Sequence, residues 1–409
     1  METTEGERWL AESLRSTSGG WQVTDLAAWL LTEVAGDWSL SDLIGRVGER
    51  LTEMGVPLYR MRIGFRTLHP QVTARSGFWV RGHPVTMQRV DLDTELSDAF
   101  VGSPVQHVIQ EGKAFRRRLD DLDADADHPV LHEIRAEGGT DYLVFPADFG
   151  GRLGGIVSVV SNEPAGFDDQ DIRKLTAVVC VLTPFLQAIS TRDVARSLLD
   201  TYLGPRTGER VLSGKVRRGD GEIISAAMWF SDLRDFTPLT EALPPERLLA
   251  MLNAYFELVA AAVTARGGEI LRFIGDAMLI VFPVSAATSA QAACEAALDG
   301  ARDAYASLAP LNHRRRRAGE SVIRFGVGLH VGEVIYGNVG APDRLDFTVM
   351  GPAVNRTARL EALTKALGAP LLMSSEFAAQ VGAGTHSLGR HAMKGVAELQ
   401  EVFALDEEL

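Results

Sequence analysis

The chain has 409 residues, 46% of them hydrophobic, which is enough for two or three domains with ordinary cores. A net charge of −13 argues against a general nucleic-acid partner, and two cysteines, Cys180 and Cys294, each in an apolar helical stretch, argue against a disulfide framework or zinc site and predict buried thiols in a reducing compartment. The longest uncharged apolar stretch, 175–190, contains Pro184 and Gln187 and is too short to span a bilayer, so a cytoplasmic protein without a membrane partner is expected.

Apolar residues at Leu26, Trp29, Leu30, Val34, Leu40, Leu43, Ile44, Val47 and Leu51 predict helix over 21–56, interrupted near Gly36. Strand composition follows at 58–68, 77–82, 142–149 and 155–161, with Gly150-Gly151 and Gly154-Gly155 marking the turn between the last two. The stretch between 84 and 140 is more polar, and its acidic run at 120–127 reads as a solvated loop. Phe167-Asp168-Asp169-Gln170-Asp171 is a helix start with acids in the first turn, and the apolar period continues to about Leu203. Helix, antiparallel sheet, long loop, final hairpin and exit helix over roughly 20–190 resemble a GAF sensor domain, an α/β fold. That resemblance implies a small-molecule pocket under the covering loops and an exit helix that carries a signal. A GAF fold that binds nothing and only dimerises fits the same residues. The expected division is a regulatory domain at 1–190, a helical linker or transducer at 191–221 with a polar connector from Gly208 to Gly221, and a site-bearing domain at 222–409.

From 222 the order is strand, helix, hairpin, helix, hairpin, helix, strands, with helices at about 244–266, 286–309 and 353–367. Helices on one face of a mainly antiparallel sheet give an α+β class. His313 to Arg317 reads as a solvated basic loop, His330 as a strand–turn position and Gly337 to Gly340 as a turn.

Three motifs carry chemistry. Asp232 ends an apolar run within Phe-Ser-Asp-Leu-Arg-Asp-Phe-Thr at 230–237, and Gly275-Asp276 is a hairpin turn within Arg-Phe-Ile-Gly-Asp-Ala-Met-Leu at 272–279. If the two strands are neighbours, both carboxylates emerge at one edge and can share hard cations while leaving positions for water and phosphate, as Mg²⁺ prefers. Backbone N–H groups of Leu233 to Thr237, leading into a helix, can face phosphate oxygens. In the third motif, residues 347–359, Asn355 and Arg359 stand four apart on a predicted helix and so share a face.

On these motifs, residues 222–405 closely resemble the class III nucleotidyl cyclase catalytic domain, a ferredoxin-like fold that makes cyclic AMP or cyclic GMP. The resemblance implies ATP as substrate, cyclised by attack of the ribose 3′-hydroxyl on the α-phosphate with loss of pyrophosphate. It implies two Mg²⁺ or Mn²⁺ ions per site, held by Asp232, Asp276 and the Leu233 carbonyl, with Phe236 and Thr237 in the turn that meets the triphosphate. Asn355 would orient the ribose and Arg359 stabilise charge at the α-phosphate, while Arg344 and Lys394 match positions that hold the β- and γ-phosphates. Arg272 and Thr348 occupy the base-reading positions. Adenylyl cyclases place Lys and Asp or Thr there, guanylyl cyclases Glu and a small residue. Thr348 also matches a subgroup that includes bicarbonate-responsive cyclases. Asp235 stands where the family usually has glycine, and its carboxylate is expected either in solvent or paired with Arg234. Because the Asp pair and the Asn/Arg pair of this family act across a subunit interface, a homodimer is implied. A guanylate cyclase, or a catalytically weak nucleotide-binding or dimerisation module, is the alternative.

Overall fold

The computed structural model describes residues 20–33, 38–67, 72–91, 97, 99–382, 384–396 and 398–407, so the expected helix break near Gly36 lies outside the described residues. The chain divides into two compact units, Met1–Leu198 and Leu199–Leu409.

The first unit opens with helices α1 (Val23–Glu33) and α2 (Leu40–Glu53). A capping box starts α2: the Ser39 hydroxyl accepts from the Asp42 N–H, and the Asp42 carboxylate accepts from the Ser39 N–H. Strands β1 (Arg60–Arg66), β2 (Val72–Val80), β3 (Thr86–Asp91), β4 (Phe115–Arg118), β5 (Asp141–Asp148) and β6 (Leu153–Ser161) form one antiparallel sheet in the order β3-β2-β1-β6-β5-β4. Period-two alternation sends Met61, Ile63 and Phe65 of β1 into a core shared with Leu43, Ile44 and Val47 of α2 and with Leu175, Val178, Leu182 and Leu186 of α5 (Asp169–Leu203). Two short helices, α3 (Pro104–Glu111) and α4 (Pro129–Ala136), stand in the stretch whose polarity predicted only loop. At 8 residues each they are too short to show a helical period, yet each has a capping side chain, Ser103 or His128, followed by Pro. Their Val108, Leu131 and Ile134 cover the opposite face of the sheet beside Tyr142, Val144 and Ile156. Strand β2 starts at Val72, ahead of the expected Gly77. Cys180 is exposed on α5, against the expectation of two buried thiols; Cys294 is buried.

In the second unit, α6 (Pro205–Leu212) occupies part of the expected connector. Then come β7 (Gly221–Leu233), α7 (Phe236–Ala242), α8 (Pro245–Ala265), β8 (Glu269–Ile274), β9 (Ala277–Pro283), α9 (Ala290–Arg317), β10 (Phe325–Ala341), β11 (Arg344–Met350), α10 (Pro352–Leu367), β12 (Leu371–Ser374), α11 (Ser375–Val381), β13 (Thr385–His391) and β14 (Gln400–Leu405). The sheet runs β13-β14-β12-β10-β7-β9-β8, with β11 paired to β10; among the described residues β10–β12 is the parallel pair and the others are antiparallel. The mixture of helices and a mainly antiparallel sheet is α+β.

The helices do not share one face, as their order had suggested. Tyr255 and Val259 of α8 and Ala297 of α9 pack with Trp229, Ile280 and Leu329 on one side of the sheet. Helix α10 lies on the other side, where Gly326 and Gly328 of β10 face it. A Cβ at Gly328 would collide with the backbone of Thr357 and Glu361, so this close approach requires glycine. The basic run expected as a loop is the last turn of α9, where Arg314 to Arg317 complement the helix C-terminus and Arg315 bonds Glu320 at 3.0 Å. The 337–340 segment is also strand, because β10 continues to Ala341 with β11 as its partner. Helices α5 and α8 have the length and apolar content of a membrane span, and each buries one face in the core of its unit.

Candidate active site

Asp232 sits on β7 opposite Ala277, the residue after Asp276, so pairing of β7 with β9 sets the two carboxylates side by side. The hairpin between β8 and β9 turns on Gly275 at φ 64°, which glycine adopts without cost. Burial, then the hydrogen bond and charge of Asp232, push the Asp276 carboxyl up to about 7. One oxygen of Asp232, Oδ1, is buried without a hydrogen-bond partner. Two adjacent carboxylates with a sealed, unsatisfied oxygen are a poor arrangement for a protein alone and a good one for a shared divalent cation. Among the described residues no cluster of three or more His, Cys, Asp or Glu side chains could hold a metal. The fit is therefore to an ion that takes two carboxylates and draws its other ligands from backbone, water and phosphate. Leu233 can offer only its carbonyl, since its side chain is in the core.

Arg234 turns away from the acids to bond Glu361 at 3.3 Å and the Thr364 hydroxyl, both on α10. Glu361 is 5% exposed, and its burial pushes its carboxyl up to about 7 against the opposing charge of Arg234. The expected alternative pairing of Arg234 with Asp235 is not formed. Asp235 takes φ 58° and ψ 30°, and it alone among the described non-glycine residues has positive φ. Its carboxylate bonds Arg324 at 2.8 Å and lies 3.7 Å from Lys365, directed to the surface and away from the acid pair. Phe236 and Thr237 open α7, with Phe236 packed on the core and Thr237 exposed.

Asn355 and Arg359 share the outer face of α10, as their spacing predicted. The inner face carries Thr357, Leu360, Glu361 and Thr364, all buried. Asp232 is paired with Gly326, the glycine that faces Thr364, so the acid pair lies by the inner face of α10 and Asn355 and Arg359 of the same chain lie on its other side. Arg359 instead lies against the turn at Gly395, beside exposed Lys394. Arg344 is exposed at the end of the β10–β11 hairpin.

These features coincide with a family. Residues 221–403 match the model of the adenylate and guanylate cyclase catalytic domain. That segment is a cyclase catalytic domain. Adenylate cyclase 1 of Rhizobium meliloti is 35% identical over 176 residues, 40% of this chain and 26% of that protein. Adenylate cyclase of Anabaena cylindrica is 34% identical over 148 residues, 36% of this chain and 28% of that protein. The chain thus matches about a quarter of the length of these relatives. A solved bacterial light-regulated adenylyl cyclase is 22% identical with a TM-score of 0.48, covering 62% of this chain and 83% of that one.

Within the cyclase domain, Thr348 is buried on β11 and Arg272 is exposed on β8. Arg272 forms an ion pair with Asp346, two residues before Thr348 and therefore on the same face of β11. Three residues that sequence reasoning missed thus belong to this region: Asp346, Glu361 and Thr364. Asp346 lies inside the third motif's lead-in, and its spacing of two from Thr348 was the available signal. The buried polar pair on α10 gave none.

Proposed function

We propose that this chain is an adenylate cyclase that converts ATP to 3′,5′-cyclic AMP and pyrophosphate as a homodimer with shared sites, under the influence of a GAF-like N-terminal domain. The observation that carries the reading is the position of α10, with the acid pair on its inner side and Asn355 and Arg359 on its outer side. One copy holds both halves of the constellation facing different ways, and a second copy supplies the complement.

Asp232, Asp276 and the Leu233 carbonyl would hold two Mg²⁺ or Mn²⁺ ions. When bound, these supply charge neutralisation of the triphosphate and acidify the ribose 3′-hydroxyl. The backbone N–H groups of residues 234–237, at the entry to α7, would face phosphate oxygens, and Asp235, tied to Arg324, leaves that approach free of its negative charge. Asn355 would orient the ribose. Arg359 would meet charge developing at the α-phosphate with a guanidinium that has no competing carboxylate among the described residues. Arg344 and Lys394, the latter in the turn beside Arg359, would meet the outer phosphates. Thr348 and Arg272 would read the base, Arg272 donating to a purine ring acceptor.

GTP as substrate is a second reading, favoured by one observation. The Asp346 carboxylate beside Arg272 can accept from guanine N1–H and the 2-amino group, a role the absent Glu would otherwise fill. Incubating the purified chain with Mn²⁺ and either ATP or GTP separates the readings. Cyclic AMP as the major product supports the proposal, cyclic GMP in excess supports the second, and neither product despite nucleotide binding would leave a binding module.

A further inference from the structure

Glu269, the first residue of β8, is a carboxylate only 7% exposed, and hydroxyls from two other elements hold it. The Tyr336 hydroxyl of β10 donates to it from 3.1 Å, and Thr207 of α6, itself buried, donates at 3.4 Å. Burial raises the pKa of the Glu269 carboxyl, with the Tyr336 hydrogen bond the largest opposing contact. Arg210, three residues along α6 from Thr207, bonds Glu222 of β7 at 2.5 Å. Its guanidinium lies 5.2 Å from the ring centre of Tyr336 and 5.5 Å from that of Phe347, and those two rings meet edge to face at 4.7 Å. The segment after α6 continues the contact: the Lys215 carbonyl accepts from the Asn338 side chain at 3.1 Å, and Asn338 pairs in register with Phe347.

These contacts converge behind Arg272 and Thr348. The register of β8 on β9 shifts between Ile270 and Arg272, which sets Glu269 opposite Val281 and Arg272 opposite Leu279. Glu269 and Arg272 therefore point to one side of the sheet although an odd number of residues apart, and it is the side that carries Tyr336 and Phe347. On β11, Phe347 stands between Thr348 and Asp346, the ion-pair partner of Arg272. An apolar residue at 269 would avoid the desolvation of a buried carboxylate, but it would not tie β8 to α6 and β10 in one orientation, as directional hydrogen bonds do. We infer that Glu269 and Arg210 are positioning residues for nucleotide recognition, through which α6 holds β8 and β11 at the spacing where Arg272 and Thr348 meet the same purine. This rests on the reading of Arg272 and Thr348 as the residues that read the base.

Steady-state kinetics of the full chain with Mn²⁺ test the inference in Arg210→Met, which keeps an unbranched stem without the guanidinium, and in Glu269→Gln. Each is expected to raise KM for ATP about fivefold or more with kcat within about twofold, the pattern of an interaction made equally in the ground and transition states. The preference between ATP and GTP should narrow in parallel. A merely structural role would reduce the amount of active enzyme, and so lower kcat at unchanged KM. Unchanged KM and nucleotide preference in a folded variant therefore overturn the role of that residue while leaving the cyclase reading intact. Wild type that forms no cyclic nucleotide overturns the cyclase reading and this inference with it. If Glu269→Gln does not fold, Thr207→Val, which removes a single hydroxyl, carries the same comparison with the same outcomes.

Discussion

Asp235 holds a backbone conformation that costs most side chains about 1–2 kcal/mol and that glycine adopts freely. This gives a physical reason why glycine is usual there, and shows how an aspartate is accommodated, since short polar side chains tolerate that region best. Asp235→Gly is expected to leave stability unchanged or raise it by about 0.5–1 kcal/mol, read from denaturant midpoints. A clear loss of stability would mean that the Arg324 and Lys365 contacts outweigh the backbone term. Asp276→Ala should reduce cyclic nucleotide formation by at least about a hundredfold with no change of oligomeric state by light scattering. His330 gives a pH signature in the stability. It is 3% exposed, its Nδ1 lies 2.7 Å from the Ser374 hydroxyl, and burial lowers its pKa from 6.5 to about 4, with Glu376 opposing. As pH falls from 6.5 toward 4 the unfolded chain takes up a proton that the folded chain does not, so stability present above 6.5 is lost across that window. Comparing wild type with His330→Asn at pH 7.5 and 5 should show an acid loss larger in wild type by on the order of 2 kcal/mol.

At the level of elements, β7 and the β8–β9 hairpin were legible because each signal is local: an apolar run, a Gly-Asp turn and an acid at the end of a strand. Neighbouring strands then had to place Asp232 beside Asp276, as β7–β9 pairing does. Helices α3, α4 and α6 were not legible, because 8 residues give barely two turns and their apolar positions read equally well as loop. The Arg234–Glu361–Thr364 contact was invisible for a different reason. It joins residues about 130 positions apart, and it exists because two glycines let α10 descend onto β10. The roles of Asn355, Arg359, Arg272 and Thr348 rest on motif resemblance together with this placement. Gly328→Ala tests the descent: lifting α10 should cost about 1–3 kcal/mol, seen as a lowered melting temperature, and should lower activity with it.

For the whole molecule, the proposed dimer has a quantitative consequence. Asp276→Ala and Arg359→Ala chains should each be inactive alone. After mixing and exchange, half the dimers carry both variants and each of those retains one intact site, so about a quarter of wild-type activity should return. Continued inactivity of the mixture, with exchange verified by differently tagged chains, would exclude a site assembled from two copies.

Helix α10 is constrained in phase as well as in position. Its inner face must present Glu361 and Thr364 to Arg234 while its outer face presents Asn355 and Arg359. One residue inserted at position 360 would rotate one end by about 100° relative to the other, so no single turn of the rod could satisfy both sets. Two sites in a dimer would then share one mechanical part: whatever shifts the loop at Arg234 in one site also re-aims the guanidinium offered to the other.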